Sequence, residues 1–341
     1  MKKLSFVNKG IYFFNTIAAA TLLISFALPY VEPKNFALLS VLSLAVPILL
    51  VLNMLFVVYW LLRLKKQLLL SLIVLLLGHN YLGLLYKFSG SKDIDSDVNI
   101  NIMSFNVRLF NLYNWIDTPN IENDIVNFIE EVEPDVIAFQ EYHPHKNVKL
   151  SNYNYKHEVL KGKRVRFGQA IFSKFPIINS GSVEFPTTAN NAIFADIVKG
   201  NDTIRIYNVH LQSTRIDPNL EQYNTQDSER VLKGVKQAFK MQQTQAEMFL
   251  AHKEKSAYKT VICGDFNNTA YSYVYKEICA HMKDAFKEAG NGFGRTFAFK
   301  YFPLRIDFIL VEEDLMVNGF KTYDYKFSDH FPMVAKVGLK L

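Results

Sequence analysis

A polar-apolar alternation begins at Asn99-Ile-Asn-Ile-Met-Ser-Phe-Asn106 and is typical of a β-strand with one buried face. Apolar residues recur at helical spacing over 121–132, and Pro134 stops that helix. The apolar run 135–139 follows and predicts the next strand. Strand, helix and strand in succession predict an α/β domain.

The same alternation continues towards the C-terminus. Residues 203–211 predict another strand, 236–253 a helix, and 259–263 a buried strand. These segments predict a single mixed α/β domain over residues 98–341. The polar stretch 212–239, which includes Arg215, fits either a loop over the substrate or a surface insertion, and its composition favours the insertion.

Towards the N-terminus the character of the chain changes. Three apolar stretches without a charged residue occupy about 11–31, 36–62 and 67–86. A helix of roughly 20 apolar residues crosses the hydrocarbon core of a bilayer. Residues 1–90 are therefore predicted to form a membrane segment of three transmembrane helices, and the polar residues 91–98 a linker.

Positive residues predict the orientation of these helices. Three lysines precede the first stretch, and Arg63, Lys65 and Lys66 lie between the second and the third. Because such residues stay on the cytoplasmic side, three crossings place the catalytic domain outside the cytoplasm. Two crossings with a cytoplasmic domain are the alternative.

Net charge is divided between the two parts of the chain. The total is +6, yet residues 1–90 hold eight Lys/Arg and one acidic residue, which leaves 30 Lys/Arg and 31 Asp/Glu for the rest. A near-neutral domain lacks the basic surface on which nonspecific duplex binding relies. The two cysteines, Cys263 and Cys279, form no disulfide framework, and a single bridge between them stays open.

Polar residues that suit catalysis stand where the predicted strands end. Rigid strands hold such side chains in place. Each one alone also fits a structural role, such as a turn residue or a buried histidine. Their joint order is informative, and the set consists of Asn106, Glu141, His210, Asp265, Asn267, Asp307, Asp329 and His330.

This order resembles the endonuclease/exonuclease/phosphatase superfamily. The resemblance covers residues 98–341 and implies a sandwich of two central mixed sheets flanked by helices, with a metal site at one edge. It rests on Ser104-Phe-Asn106-Val-Arg108, Ala138-Phe-Gln140-Glu141, Gly168 to Ile177, Tyr207-Asn208-Val-His210-Leu211, Gly264-Asp265-Phe266-Asn267, Arg305-Ile-Asp307-Phe and Ser328-Asp329-His330-Phe-Pro332.

The resemblance also implies a metal site. Oxygens of Asn106, Glu141 and Asp329 would hold Mg²⁺, with Glu141 as the main carboxylate ligand. Magnesium prefers oxygen ligands and keeps several waters, so few carboxylates suffice. Manganese would substitute for it.

Catalytic roles follow from the same resemblance. Asp265 would position or deprotonate the attacking water, and Asn267 would donate a hydrogen bond to a phosphoryl oxygen. His330, oriented by Asp307, would contact the phosphate. His210 would bind the phosphate or protonate the leaving oxygen. The sequence leaves open whether Asp265 or the Asp307–His330 pair is the general base.

These features predict a membrane-anchored, divalent-metal-dependent phosphoesterase that hydrolyses a phosphodiester by attack of an activated water. A domain tethered to a bilayer meets lipid headgroups at high effective concentration, which favours a phospholipid substrate. The alternative is an extracytoplasmic nuclease acting on DNA or RNA. A non-catalytic membrane scaffold disagrees with the complete set of site residues, and the sequence predicts no protein partner.

Overall fold

A computed structural model describes residues 4–88, 92–214 and 225–339 of the chain. The N-terminal part is helical. Its helices are α1 (Phe6–Ser25), α2 (Pro33–Val41), α3 (Val46–Leu62), α4 (Leu68–Leu77) and α5 (His79–Leu85), with 3₁₀ turns at Leu28–Tyr30 and Leu42–Ala45. Two helical runs, Phe6–Tyr30 and Pro33–Leu62, are long and apolar enough to cross a membrane.

The third predicted span, 67–86, differs from a straight helix. It consists of α4 and α5, which meet at Gly78 and are bent by 78° relative to each other. The ring of Phe26 packs so closely on Gly78 that a Cβ there would lie 2.2 Å from it. Because of the bend, Tyr81 and Leu84 on α5 reach the domain that follows instead of continuing along α4.

A buried polar network joins α1, α3 and α4. Asn15 donates to the Ser71 hydroxyl at 2.5 Å, Ser71 donates to Asn53 at 2.7 Å, and the Trp60 indole donates to Asn15 at 2.9 Å. All four side chains are buried. Polar groups in an apolar surrounding are costly unless they are hydrogen-bonded, so this network fixes which faces of the three helices meet.

The rest of the chain forms two six-stranded sheets. The strands are β1 (Asn99–Asn106), β2 (Val136–Tyr142), β3 (Tyr155–Lys161), β4 (Phe167–Ser173), β5 (Ile177–Glu184), β6 (Asn191–Lys199), β7 (Asp202–His210), β8 (Lys259–Asp265), β9 (Met282–Asp284), β10 (Asp307–Glu312), β11 (Met316–Thr322) and β12 (Met333–Gly338). Their orders are β11-β12-β1-β2-β4-β3 in sheet one and β5-β6-β7-β8-β10-β9 in sheet two.

Both sheets are mixed. The β1–β2 and β7–β8 pairs are parallel and their other neighbours are antiparallel. The flanking helices are α6 (Ile121–Val132), α7 (Thr225–Lys253), α8 (Tyr273–Ile278) and α9 (Ala285–Ala289). The predicted two-sheet sandwich flanked by helices is therefore confirmed.

The main core lies between the two sheets. Ile102 and Ala138 of sheet one and Ile206, Val261 and Ile309 of sheet two are fully buried in one apolar cluster. Removing such side chains from water supplies most of the folding free energy, roughly 1.5–3 kcal/mol for each large aliphatic residue. Cys263 belongs to the same cluster, and both cysteines are free thiols.

The helical part and the sandwich are in direct contact. The Tyr271 hydroxyl donates to the Tyr81 carbonyl at 3.0 Å, and the two rings stack at 5.8 Å. The Lys34 amide donates to Gln243 of α7 at 2.8 Å, and its ammonium group pairs with Glu247. These contacts fix the sandwich against α2 and α5.

The segment predicted as a linker is also held in place where it is described. Lys336 of β12 pairs with Asp93 at 2.6 Å and with Asp95, and the Ile94 amide donates to Asn318 at 2.9 Å. Residues 92–98 thus run along the outer edge of sheet one. Residue 91 lies outside the described residues.

Gly264 provides a test of the sandwich. Its φ is +141° and an added Cβ would lie 1.9 Å from the Val209 carbonyl oxygen of the neighbouring strand. We expect Gly264→Ala to destabilise the protein by about 2–4 kcal/mol, since both strain and a backbone clash must be relieved. The midpoint of thermal unfolding of the detergent-solubilised chain measures this.

Gly200→Ala is the matched control. Gly200 also has a positive φ, +61°, but no atom lies within 4 Å of an added Cβ. Gly200→Ala should lower the free energy of unfolding by only about 1 kcal/mol. Equal losses in the two variants would contradict the packing argument.

Candidate active site

Strand register brings three predicted site residues together in sheet two. Asp265, at the end of β8, pairs with His210 at the end of β7 and with Asp307 at the start of β10. Strand β7, which is parallel to β8, ends at the same edge of the sheet at which the antiparallel strand β10 begins. Neighbouring strands lie about 4.8 Å apart, so register alone places these side chains within reach of one another.

A β-bulge positions the residues of sheet one. Asn106 pairs with Gln140, and the register of β2 against β4 shifts between Phe139 and Tyr142. Glu141 lies in this bulge with a φ of +49°. Bulges of this kind redirect a side chain at a sheet edge. Here the bulge turns the Glu141 carboxylate towards Asn106, whose amide donates to it at 3.4 Å.

The two half-sites meet across the sandwich. The Asn106 amide of sheet one also donates to Oδ2 of Asp265 in sheet two at 3.1 Å. Behind this contact, Gln140 donates to Asn208 at 2.7 Å, and Asn208 donates to the Phe139 carbonyl at 2.7 Å. These buried amides tie β2 to β7 and keep the two edges aligned.

His330 sits between two carboxylates. Its Nδ1 lies 2.9 and 3.0 Å from the oxygens of Asp307, and its Nε2 lies 3.6 Å from Asp265. The ring of Phe297 packs against the imidazole at 5.0 Å. Although burial opposes it, Asp307 and Asp265 raise the pKa of His330 to about 10. The site therefore favours a protonated imidazole, with Nδ1 on the Asp307 side and Nε2 on the Asp265 side.

Asp265 is the centre of the site. Its Oδ1 accepts from the Asn267 amide N–H at 2.7 Å, and burial raises the pKa of its carboxyl group, as does Asp307. The Asn267 side chain donates to the Leu211 carbonyl at 3.0 Å. Nε2 of His210 lies 3.8 Å from Asp265 and has no hydrogen-bond partner. Burial lowers the pKa of His210 to about 3, so its ring is neutral.

Asp329 is held by Arg108, a residue for which the sequence predicted no role. Its Oδ2 pairs with the Arg108 guanidinium at 3.0 Å, and that guanidinium stacks over Trp115 at 4.6 Å. All four residues 108–111 have a positive φ. Left-handed backbone costs about 1–2 kcal/mol per residue, so this strained turn marks a functional loop. The available signal was its position directly after Asn106-Val107.

The structure thus gathers all eight predicted site residues at one edge of the sandwich. A groove of about 1230 Å³ opens from Glu141 and His210 and runs towards the N-terminal half of α7. Residues 225–239, part of the polar stretch 212–239, form this half-helix, and the groove is lined by Arg230, Val231, Lys233, Gly234, Gln237 and Ala238. Their polar composition reflects a helix with one exposed face. Arg215 lies outside the described residues.

The fold is the two-sheet sandwich flanked by helices that the resemblance implied. The sequence profile of the endonuclease/exonuclease/phosphatase family matches residues 103–330, and the chain belongs to that family. Members of the family hydrolyse phosphoester bonds with divalent metals. Residues 8–85 match a domain of unknown function, DUF8431. A comparison with curated proteins gives no match.

Solved structures show the same fold. An endonuclease/exonuclease/phosphatase family protein from Bacteroides thetaiotaomicron is 17% identical, with a TM-score of 0.54 over 71% of this chain and 98% of that one. TDP2 of D. rerio, complexed with a single-strand DNA product, is 16% identical, with a TM-score of 0.53 over 71% and 99%. The human Nocturnin catalytic domain with bound sulfate is 16% identical, with a TM-score of 0.51 over 70% and 93%.

The donor set fits a hard divalent cation. Glu141 and Asp329 would supply carboxylate oxygens and Asn106 its amide oxygen, which here accepts from the Arg108 N–H. Burial raises the pKa of Glu141, and Asp329 adds to the rise. Crowded carboxylates of this kind are stabilised by a bound cation. Asp265, Asp307 and His330 also bring ligand atoms within 4.8 Å of one another. Because Asp307 occupies Nδ1 of His330, this second group is better described as a hydrogen-bonded triad.

Cation binding is testable without an activity assay. We expect Mg²⁺ to stabilise the chain by about 2.7 kcal/mol at 100 times its Kd, since the ion binds only the folded state. Glu141→Gln removes the main negative ligand and should abolish most of the rise in unfolding temperature relative to EDTA. Glu130→Gln, an exposed carboxylate on α6, is the matched control. An unchanged Mg²⁺ response in Glu141→Gln would exclude Glu141 as a ligand.

Proposed function

We propose that this protein is a membrane-anchored, magnesium-dependent phosphodiesterase that hydrolyses phospholipid headgroup esters. Residues 1–90 form the membrane segment, 91–98 the connection and 98–341 the catalytic domain, on the extracytoplasmic side. The observation that carries the proposal is the continuous chain of contacts from Asp307 through His330, Asp265 and Asn106 to Glu141.

Bound at Asn106, Glu141 and Asp329, the cation would offset the charge of the phosphoryl oxygens. A water attacks phosphorus, so that one O–P bond forms and the bond from phosphorus to the leaving oxygen breaks. Asp265 takes the proton of this water. Its Oδ1 is held by Asn267 and its Oδ2 by Asn106, so the carboxylate is fixed before the substrate arrives.

The remaining residues stabilise charge. Both carboxylate oxygens of Asp307 face Nδ1 of His330, so Asp307 orients the ring and is not itself the base. His330 then donates from Nε2 to a phosphoryl oxygen as negative charge develops. His210, whose Nε2 is unpartnered, donates to the leaving oxygen, which takes its proton from solvent. Asn267 contributes its second amide hydrogen to the phosphate.

The helical part supports a lipid substrate. Lys34 and Tyr81 contact α7 and Tyr271 directly, so the sandwich is held against the ends of the apolar helices. A domain fixed at this position keeps its active site close to the bilayer surface. That proximity raises the effective concentration of lipid phosphoesters above that of dissolved ones.

A nuclease is the second candidate. TDP2, which shares the fold, was solved with a single-strand DNA product. The half-exposed Trp115 beside Arg108 also offers a surface on which a base would stack. Against this, the domain after residue 90 holds 30 Lys/Arg and 31 Asp/Glu, so it lacks the excess basic charge that supports nonspecific nucleic-acid binding.

Activity of the full chain in lipid nanodiscs tests the reaction. We expect Mg²⁺-dependent hydrolysis of bis-p-nitrophenyl phosphate that is lost in EDTA. His330→Asn should lower kcat by about 10²–10³, the usual loss when one transition-state donor is removed. His281→Asn, at an exposed histidine, is the matched control. Retained activity in His330→Asn would favour a non-catalytic scaffold.

Topology is a separate prediction. A phosphatase reporter that works only outside the cytoplasm, fused after Tyr86, should be active in a bacterial host because three crossings carry it across the membrane. A reporter fused after Arg63, between the second and third apolar stretches, should be inactive and serves as the control. Inactive reporters at both positions would mean two crossings and a cytoplasmic domain.

A further inference from the structure

We propose that the groove ends, at the membrane boundary, in a binding subsite for the headgroup of an anionic phospholipid. This inference rests on the proposed phosphodiesterase function and defines its substrate class. A second cavity, of about 230 Å³, adjoins the catalytic groove. Thr187, Gln237 and Met241 line both spaces, so the cavity and the groove are continuous.

The position of this cavity relates it to the bilayer. Lys34 lies on its wall, directly after Pro33, where the second apolar run begins; the first run ends at Tyr30. The proposed membrane segment turns back between these two residues, which places the cavity near the membrane surface on this side. A lipid headgroup that enters this cavity would reach Glu141 and His210 by moving along the groove.

Charge favours an anion in this cavity. Lys34 and the exposed Lys240 lie on its wall, and none of its described lining residues is acidic. Glu247 does not line the cavity but pairs with Lys34 and offsets its charge. Lys240 therefore attracts an anion more strongly than Lys34 does. Further along, the exposed Arg230 and Lys233 line the catalytic groove, where Glu141 is the one acidic member among the described lining residues.

Unpartnered polar atoms point to a ligand along the same path. Gln245 is 2% exposed and lines the cavity; its Oε1 accepts from the Gln212 amide at 2.8 Å, while its Nε2 donates to no partner. Gln169 is 1% exposed and lines the groove, with Oε1 unpartnered. Buried polar atoms are nearly always hydrogen-bonded, so these groups are expected to bind a polar molecule. An unpartnered amide donor in a cavity whose wall also carries Lys240 suits a phosphate oxygen.

The test uses the full chain in vesicles that contain equal fractions of phosphatidylglycerol and phosphatidylcholine. The initial rates of headgroup release are compared. We expect the wild type to prefer the anionic lipid at least tenfold, and Lys240→Glu to bring this ratio close to one. Lys255→Glu, the same charge change beyond the end of α7 and away from the cavity, should keep the wild-type ratio.

A second variant addresses the path itself. Met241→Trp fills the junction between cavity and groove and should lower turnover of both lipids more than tenfold while the unfolding temperature is retained. Equal lipid preference in the wild type and Lys240→Glu would overturn the subsite. So would faster cleavage of single-stranded DNA than of either lipid by the wild type.

The proposed function is tested independently by bis-p-nitrophenyl phosphate. If the wild type hydrolyses this compound in a Mg²⁺-dependent manner but shows no anionic preference, the subsite is wrong and the phosphodiesterase stands. If it does not hydrolyse the compound, the phosphodiesterase fails, and the inference fails with it.

Discussion

The site exists because two sheets pack face to face with their edges in line. Two close pairs in it join the two sheets or the segments next to them: Asn106 with Asp265, and His330 with Asp307. The buried Gln140–Asn208 contact fixes the alignment a layer below. A slip of β1 or β8 by one residue against its neighbours would turn that strand's side chains to the opposite face of its sheet and separate these pairs. The apolar core between the sheets therefore holds the catalytic geometry as well as the fold.

The helical segment contacts the sandwich behind two loops that carry site residues. Tyr271, which follows Asn267 by one short turn, is buried among apolar residues of α1, α3, α4 and α5. Phe302, in the loop before Asp307, packs against the same cluster. The apolar helices and the two loops that carry site residues thus share the same contacts. The bend at Gly78 is what makes this possible, because it directs α5 towards the sandwich.

Several strained or unpartnered groups lie at the groove and at the cavity that adjoins it. Glu141 has a positive φ, His210 and Gln169 each have an unpartnered atom, and all three line the groove, while Gln245 lines the cavity. Other buried atoms without a partner, such as those of Asn101 and Arg305, lie away from the groove. The groups at the groove and the cavity are the ones placed to meet a ligand.

The sequence by itself determined the two-part organisation, the α/β class and the order of the site motifs, because hydrophobic periodicity and strand-end residues are local properties of the chain. It also predicted two of the apolar helices. The bend in the third, the role of Arg108 and the groove along α7 came only from the tertiary structure. Each depends on a contact between distant segments: Phe26 on Gly78, Asp329 on Arg108, and Thr187 opposite Gln237. Such contacts depend on how the sheets and helices pack, so they cannot be predicted from a local sequence pattern.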